Sequence, residues 1–172
     1  VAEPRADSFQ TFDEASLAVL AALIRDHRQA ALATVDGGAP YTAMTAYVPE
    51  PGFAGFLVHL SDLAPHKAHL RADPAVSLII FEPDDGRTEI LQHKRASFEC
   101  RAEVVPKGTA AYDVARERYL QRFPKHALMF ALQDFDLVRL VPRRGLLNAG
   151  FGRAYQVTPA DLAAAAQAGG GD

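Results

Sequence analysis

The chain has 172 residues, a hydrophobic fraction of 49%, a charged fraction of 23% and a formal charge of -3. That composition is globular, long enough for one domain with its own core, and it exerts no overall pull on nucleic acid. One cysteine, Cys100, excludes an internal disulfide and a cysteine-built zinc site.

Residues 1–10 read as a loose leader without the apolar run of a signal peptide. Thr11 with Glu14 offers a helix cap, and Leu17, Leu20, Leu23 and Ile24 recur at helical spacing, so a short amphipathic helix is expected to end near His27. Ala31 to Val35 and Tyr41 to Val48 alternate as two strands, joined by Asp36-Gly37-Gly38. Pro49, Pro51 and Gly52 break the chain before a third strand, "FAGFLVHL". A short helix from about Leu63 to Arg71 is stopped by Asp73-Pro74. "AVSLIIF" is apolar enough for a central fourth strand, and "EPDDGRTEILQHK" is a turn and approach segment.

"RASFECRAEVV" alternates cleanly, with Phe98, Cys100, Ala102 and Val104 on one face and Ser97, Glu99, Arg101 and Glu103 on a wet one. Cys100 is therefore a packing residue, with no partner in the sequence to stabilise a thiolate. Residues 109–122 form a helix with Tyr112, Ala115 and Tyr119 on one face, and "PKHALMFAL" is a further short helix or turn. "DFDLVRLVP" is the sixth strand. The tail opens as a glycine-rich loop with a strand edge, continues as an alanine-rich helix and ends in a flexible tip over 167–172. Six strands with irregularly inserted helices exclude a doubly wound parallel sheet and fit a small antiparallel barrel in one domain over 1–172.

The polar stretch after the third strand holds the chemistry. Pro65 belongs in a first helical turn, which places His66 and Lys67 beside exposed amides. With Ser61, they form a plausible seat for a phosphate. The alternative is purely structural: Asp62 balances Lys67, and Leu63, His66 and Leu70 share a half-buried face. A metal site is not expected, because His59, His66 and His69 lack ligand spacing and no HExxH occurs. No GxSxG marks a hydrolase nucleophile. Arg139, Arg143 and Arg144 read as a surface or anion-steering cluster rather than a nucleic-acid face. No segment is long and apolar enough to span a membrane, and a cytoplasmic location is expected.

"AALATVDGGAPYTAMTAYV", "FLVHLSDLAPHKAHLRADPAVSLIIF", "RASFECRAEVV", "RYLQRFP" and "DFDLVRLVPRRGLLNAGFGRA" occur in an order and spacing that resembles the pyridoxamine 5'-phosphate oxidase-like flavoproteins. Over about residues 14–158 the chain looks most like their HugZ-like branch. The resemblance implies a six-stranded Greek-key split barrel, a homodimer, and FMN in the groove between subunits. It places Ala43, Met44 and Thr45 along the flavin ring, Ser61, His66 and Lys67 at its phosphate, and Arg95 against the ring or ribityl chain. Gly150, Phe151 and Gly152 match the branch's C-terminal motif, read as framing the pocket.

The chain departs from the branch in three places. It has His66-Lys67-Ala68-His69 where "HT-x-N" is common, and Cys100 where glycine is usual. Heme-degrading members use a histidine in a C-terminal extension, whereas the last histidine here is His126. The expected function is an FMN-dependent oxidoreductase acting on a small molecule, with no catalytic residue assigned. The alternative is a non-catalytic flavin- or heme-binding module.

Overall fold

A computed structural model describes residues 9–86 and 88–168. The expected leader over 1–10 and the tip over 167–172 lie largely outside those residues. The elements, in chain order, are α1 (Glu14–Asp26), β1 (Gln29–Asp36), β2 (Ala39–Ala46), β3 (Val48–Pro49), β4 (Phe56–Ser61), α2 (Pro65–Ala72), β5 (Ala75–Phe81), β6 (Arg95–Val104), α3 (Ala110–Arg122), β7 (Phe135–Asn148), β8 (Ala154–Val157) and α4 (Pro159–Gln167). Short 3-10 turns lie at Pro51–Phe53, Ile90–Gln92 and Pro124–Ala131.

One curled antiparallel sheet carries the fold. Seven strands follow the order β2-β1-β5-β6-β7-β4-β3, and β8 pairs with β7. The sequence reading expected six strands. The two additions are Val48–Pro49 and Ala154–Val157 in the tail, where a strand edge was expected. The chain leaves the second strand at Tyr47, and Val48–Pro49 pairs with β4 rather than β1. "RRGLLN", expected to begin a loop, instead extends the sixth strand to Asn148. Gly145 makes that extension possible, because a Cβ there would meet the Ser97 carbonyl oxygen at 2.6 Å and the Phe98 ring at 2.8 Å. The neighbouring register shift between Glu99 and Cys100 re-aims this stretch of β6.

The inner face of the curl buries Leu32, Phe56, Val58, Leu78, Ile80, Phe98 and Leu140. Leu20 and Ile24 of α1 and Leu162 of α4 join the same core. At the start of α1 the cap is Asp13 rather than Thr11. The Asp13 Oδ1 accepts from the Ser16 amide at 2.8 Å, and the Ser16 Oγ accepts from the Asp13 amide at 2.9 Å. A second core forms on the other face of β4 and β7, where Tyr112, Ala115, Tyr119 and Phe123 pack on Leu57 and Leu137.

Among the described residues, no helix is long and apolar enough to cross a membrane.

Candidate functional site

The residues expected to share one ligand are split over three places. Along β2 the side chains alternate, so Met44 faces outward opposite Ala31 while Ala43 and Thr45 pair with the buried Leu32 and Ala30. Met44 is 69% exposed and Thr45 is buried. Arg95 shares the outer face of the sheet, across from Phe81 and Asn148, and its guanidinium donates to the carbonyl of His93 at 3.2 Å. Ser61, His66 and Lys67 lie where β4 hands over to α2.

Lys67 is a structural latch. Only 1% of the residue is exposed. Its ammonium lies 2.9 Å from Asp62 and 3.2 Å from Asp136, and it donates to the Asp134 carbonyl. Ser61 Oγ donates to the Asp134 carboxylate at 2.7 Å. Burial pushes the Asp136 carboxyl up, but hydrogen bonds from Arg71 and Lys67 outweigh it and hold the group below the ordinary carboxylate range. A lysine so neutralised has little charge left to attract a phosphate. Its local pairing with Asp62 is the arrangement the structural alternative anticipated.

His66 and His69 sit on the α2 face turned to β1 and β2. His69 Nδ1 is 3.1 Å from Thr34 Oγ1, and the Tyr41 ring meets His69 edge-on at 5.2 Å. His66 is buried, its Nδ1 has no hydrogen-bond partner, and burial followed by the neighbouring His69 lowers its pKa. His59 is half-buried among aromatic rings. It stacks on Phe130 at 3.9 Å, both ring nitrogens lack partners, and its pKa is pushed down to about 4, first by burial and then by His126 and Lys107. Burial, followed by Glu99, pushes the Cys100 thiol up to about 12, so this sulfur is not a nucleophile at neutral pH.

A groove opens on the outer face of β1, β5 and β6. Its volume is about 340 Å³. Ala33, Val35, Pro40 and Ala75 give it an apolar floor, and Arg101 and Arg143 stand at its margin. The strand pairing explains the trough: Ala33 lies opposite Ser77, and Ala75 opposite Arg101, so short side chains run between longer ones. Arg139 is tied to Glu50 and Arg144 to Glu99. Arg101 and Arg143 have no ion pair among the described residues. No histidine lines the groove.

The wet face of "RASFECRAEVV" made Arg101 legible from sequence, and Arg143 belonged to the expected basic cluster. Their convergence on the small residues of β1 and β5 depends on pairing across strands distant in sequence. Gly150, Phe151 and Gly152 do not line this groove. They form the turn before β8, with both glycines at positive φ and Phe151 86% exposed.

Comparison with known proteins identifies a family and corrects the cofactor. Residues 17–149 match the pyridoxamine 5'-phosphate oxidase family. The heme oxygenase HutZ of Vibrio cholerae is 33% identical over 133 residues, which are 76% of this chain and 74% of HutZ. A solved heme-binding protein from Mycobacterium smegmatis superposes with a TM-score of 0.74 at 25% identity, covering 95% of this chain and 62% of that one. The structure of HutZ, the heme storage protein of Vibrio cholerae, gives a TM-score of 0.68 at 26% identity, covering 76% of this chain and 92% of HutZ. These relatives are heme proteins. They overturn the expectation of FMN, of a flavoprotein and of an FMN-dependent oxidoreductase. The split-barrel likeness that implied flavin is shared by proteins named for heme, so the fold could not decide between the two cofactors.

Proposed function

The chain belongs to the pyridoxamine 5'-phosphate oxidase family, and from that membership we propose that it binds heme and acts as a heme-oxidising enzyme of the HutZ type. The likeness to HutZ over three quarters of both chains carries this reading. The outer groove supports it on chemical grounds. A porphyrin presents a flat apolar ring and two carboxylates. The groove offers Ala33, Val35, Pro40 and Ala75 to the first and the guanidiniums of Arg101 and Arg143 to the second.

The groove suits part of the ring face and the carboxylates, although Glu99 also lines it, and it brings no histidine for the iron. A residue outside the groove's lining would have to hold the iron. Heme, when bound, supplies the iron at which oxygen chemistry takes place. The chain's own contribution is to seat the ring on β1, β5 and β6 and to neutralise its carboxylates.

The remaining site residues take subordinate parts in this reading. Met44 and Arg95 lie on the same outer face; Ala43 and Thr45 pair with β1 behind it, and Ser61, His66 and Lys67 hold α2 in place away from the groove. A homodimer belongs to the proposal as well. The outward row Met44, Ala31, Ile79 and Leu146 is partly apolar and open, and a second copy laid on it would cover the groove. We also retain the single-domain six-strand Greek-key barrel as the underlying pattern of the sheet, and a cytoplasmic location. A lone, buried cysteine accords with a reducing compartment.

Titration of the purified protein with hemin tests the function. A saturable Soret band at one equivalent or fewer per chain, followed by its loss with ascorbate and oxygen and the release of iron, is the expected result. A hemin spectrum indistinguishable from that of hemin with an unrelated protein would overturn the heme assignment. Stable binding with no bleaching would leave a heme carrier and remove the enzyme.

A further inference from the structure

One row of residues crosses the outer face of the sheet from strand to strand. Met44 lies opposite Ala31, Ala31 opposite Ile79, Ile79 opposite Ser97, and Ser97 opposite Leu146. On one side of this row the β5–β6 ladder runs into an acidic turn; on the other it carries the groove with Arg101 and Arg143. The geometry points to a two-fold contact between two copies of this chain, in which the turn holding Asp84 and Glu89 in each copy lies on Arg101 and Arg143 of the other, a pairing that rests on the homodimer reading given above.

A two-fold contact is self-complementary: each surface that meets a second surface is met by it in return. An axis lying along the row, in the plane of the contact, turns one copy end over end relative to the other. Phe81 and Arg95 stand on one side of the row, and Ser77 and Glu99 stand equally far on the other. Rotation about the row therefore sets Phe81 over the partner's Ser77 and Arg95 over the partner's Glu99. Farther out, the turn arrives over the partner's Ala75 and Arg101, which face each other across the ladder. Each of these contacts occurs twice.

The two sides match in polarity and in charge. Phe81, Ile90 and Leu91 are exposed on the turn side. Ala33, Val35, Pro40 and Ala75 form the apolar floor that receives them. The tip of the turn carries Asp84, Asp85 and Glu89 against a single cation, Arg87. The Gly86 amide donates to Asp84 Oδ1 at 2.8 Å, and His93 Nε2 lies 3.7 Å from the same oxygen; these contacts order the turn. Glu89 is exposed and has no ion pair among the described residues. Arg101 and Arg143 are exposed and likewise without one.

Complementary charge of this kind fixes the register of a contact. It also selects the occupant. A second copy brings acid and apolar side chains at the spacing the groove requires, because both features sit on the same two strands and on opposite sides of one row. The intervening row, with Met44, Ile79 and Leu146, then meets its own copy along the axis. A carboxylate ligand and the partner's turn compete for the same two guanidiniums, so that end of the groove is closed until such a ligand displaces the turn.

Sedimentation equilibrium on the full chain, free of hemin, tests the contact. The wild type is expected at the mass of two chains. Two charge-reversed forms are compared with it: Asp84→Lys with Glu89→Lys, and Arg101→Glu with Arg143→Glu. Each form alone sets like charges against each other and should weaken self-association by about tenfold or more. Mixed, the two forms meet with opposite charges at both contacts and should pair as a heterodimer. All four positions are exposed, so none of these changes touches the core. Variants that self-associate like the wild type, or that fail to pair when mixed, would overturn this contact and leave the dimer standing. A wild-type monomer would remove the dimer as well, while the heme assignment answers only to the hemin titration.

Discussion

Two basic regions of this molecule look alike in sequence and behave oppositely in the fold. Lys67 and Arg71, in the first and last turns of α2, are closed by Asp62 and Asp136 from their own chain. Arg101 and Arg143, at the outer groove, have no such counter-charge among the described residues. A cation satisfied internally holds elements together; a cation left open on an apolar floor remains available to an anionic ligand. Counting basic residues near a strand end could not separate these cases.

The sharpest way to break this contrast is to remove the latch. Lys67→Ala removes the buried cation shared by Asp62, Asp136 and the Asp134 carbonyl, and leaves only the half-exposed Arg71 on the two carboxylates. Loss of one partner from a buried pair costs about 3–5 kcal/mol. Urea denaturation should show that loss, while hemin affinity of the remaining folded fraction stays within about threefold of wild type by ΔΔG additivity between distant sites. A neutral effect on stability would mean that the latch is an ordinary surface pair.

Next in size is the half-buried imidazole beside the second core, whose ring nitrogens are shielded from water. Folded His59 has its pKa near 4, below the 6.5 of an unfolded histidine. The unfolded chain therefore takes the proton first as pH falls. Stability from this group is whole above pH 6.5 and is lost progressively between 6.5 and 4, by roughly 2–3 kcal/mol at the lower end. His59→Phe keeps the stack on Phe130 and should flatten that part of the stability–pH curve. An unchanged slope in the variant would assign the acid sensitivity to other groups.

The smallest expected effect in energy bears most directly on function. Arg101→Ala with Arg143→Ala should weaken hemin binding by about tenfold, or about 1.4 kcal/mol, with stability held within about 0.5 kcal/mol as for exposed sites. Arg144→Ala serves as the comparison, since that guanidinium already pairs with Glu99 at 2.8 Å. Equal losses in Arg144→Ala and in the double variant would erase the distinction between open and closed cations.

Local patterns were read well where one face of an element was buried and the other wet. The alternation of β6 and the helical spacing of α3 carry their own signal, because burial repeats with the period of the backbone. Reading failed at "RRGLLN". Glycine there marks a close approach to Ser97 and Phe98 rather than a loop, and that requirement comes from a strand some fifty residues earlier. The side-chain environments of the expected site were less legible: Ala43, Met44 and Thr45 are consecutive, so the strand sends their side chains to alternating faces, and only pairing with β1 shows which face is buried.

Taken alone, the amino-acid order determined the helices, most strands, the antiparallel class and the family likeness, since each depends on short-range periodicity and on motif order. Tertiary structure decided which charges were spent and which stayed open, that β7 would run to Asn148, and that Ala33, Ala75, Arg101 and Arg143 would meet. Those outcomes depend on pairing between segments remote along the chain. Hydrogen-bonded register brings such segments together, and composition cannot encode it locally.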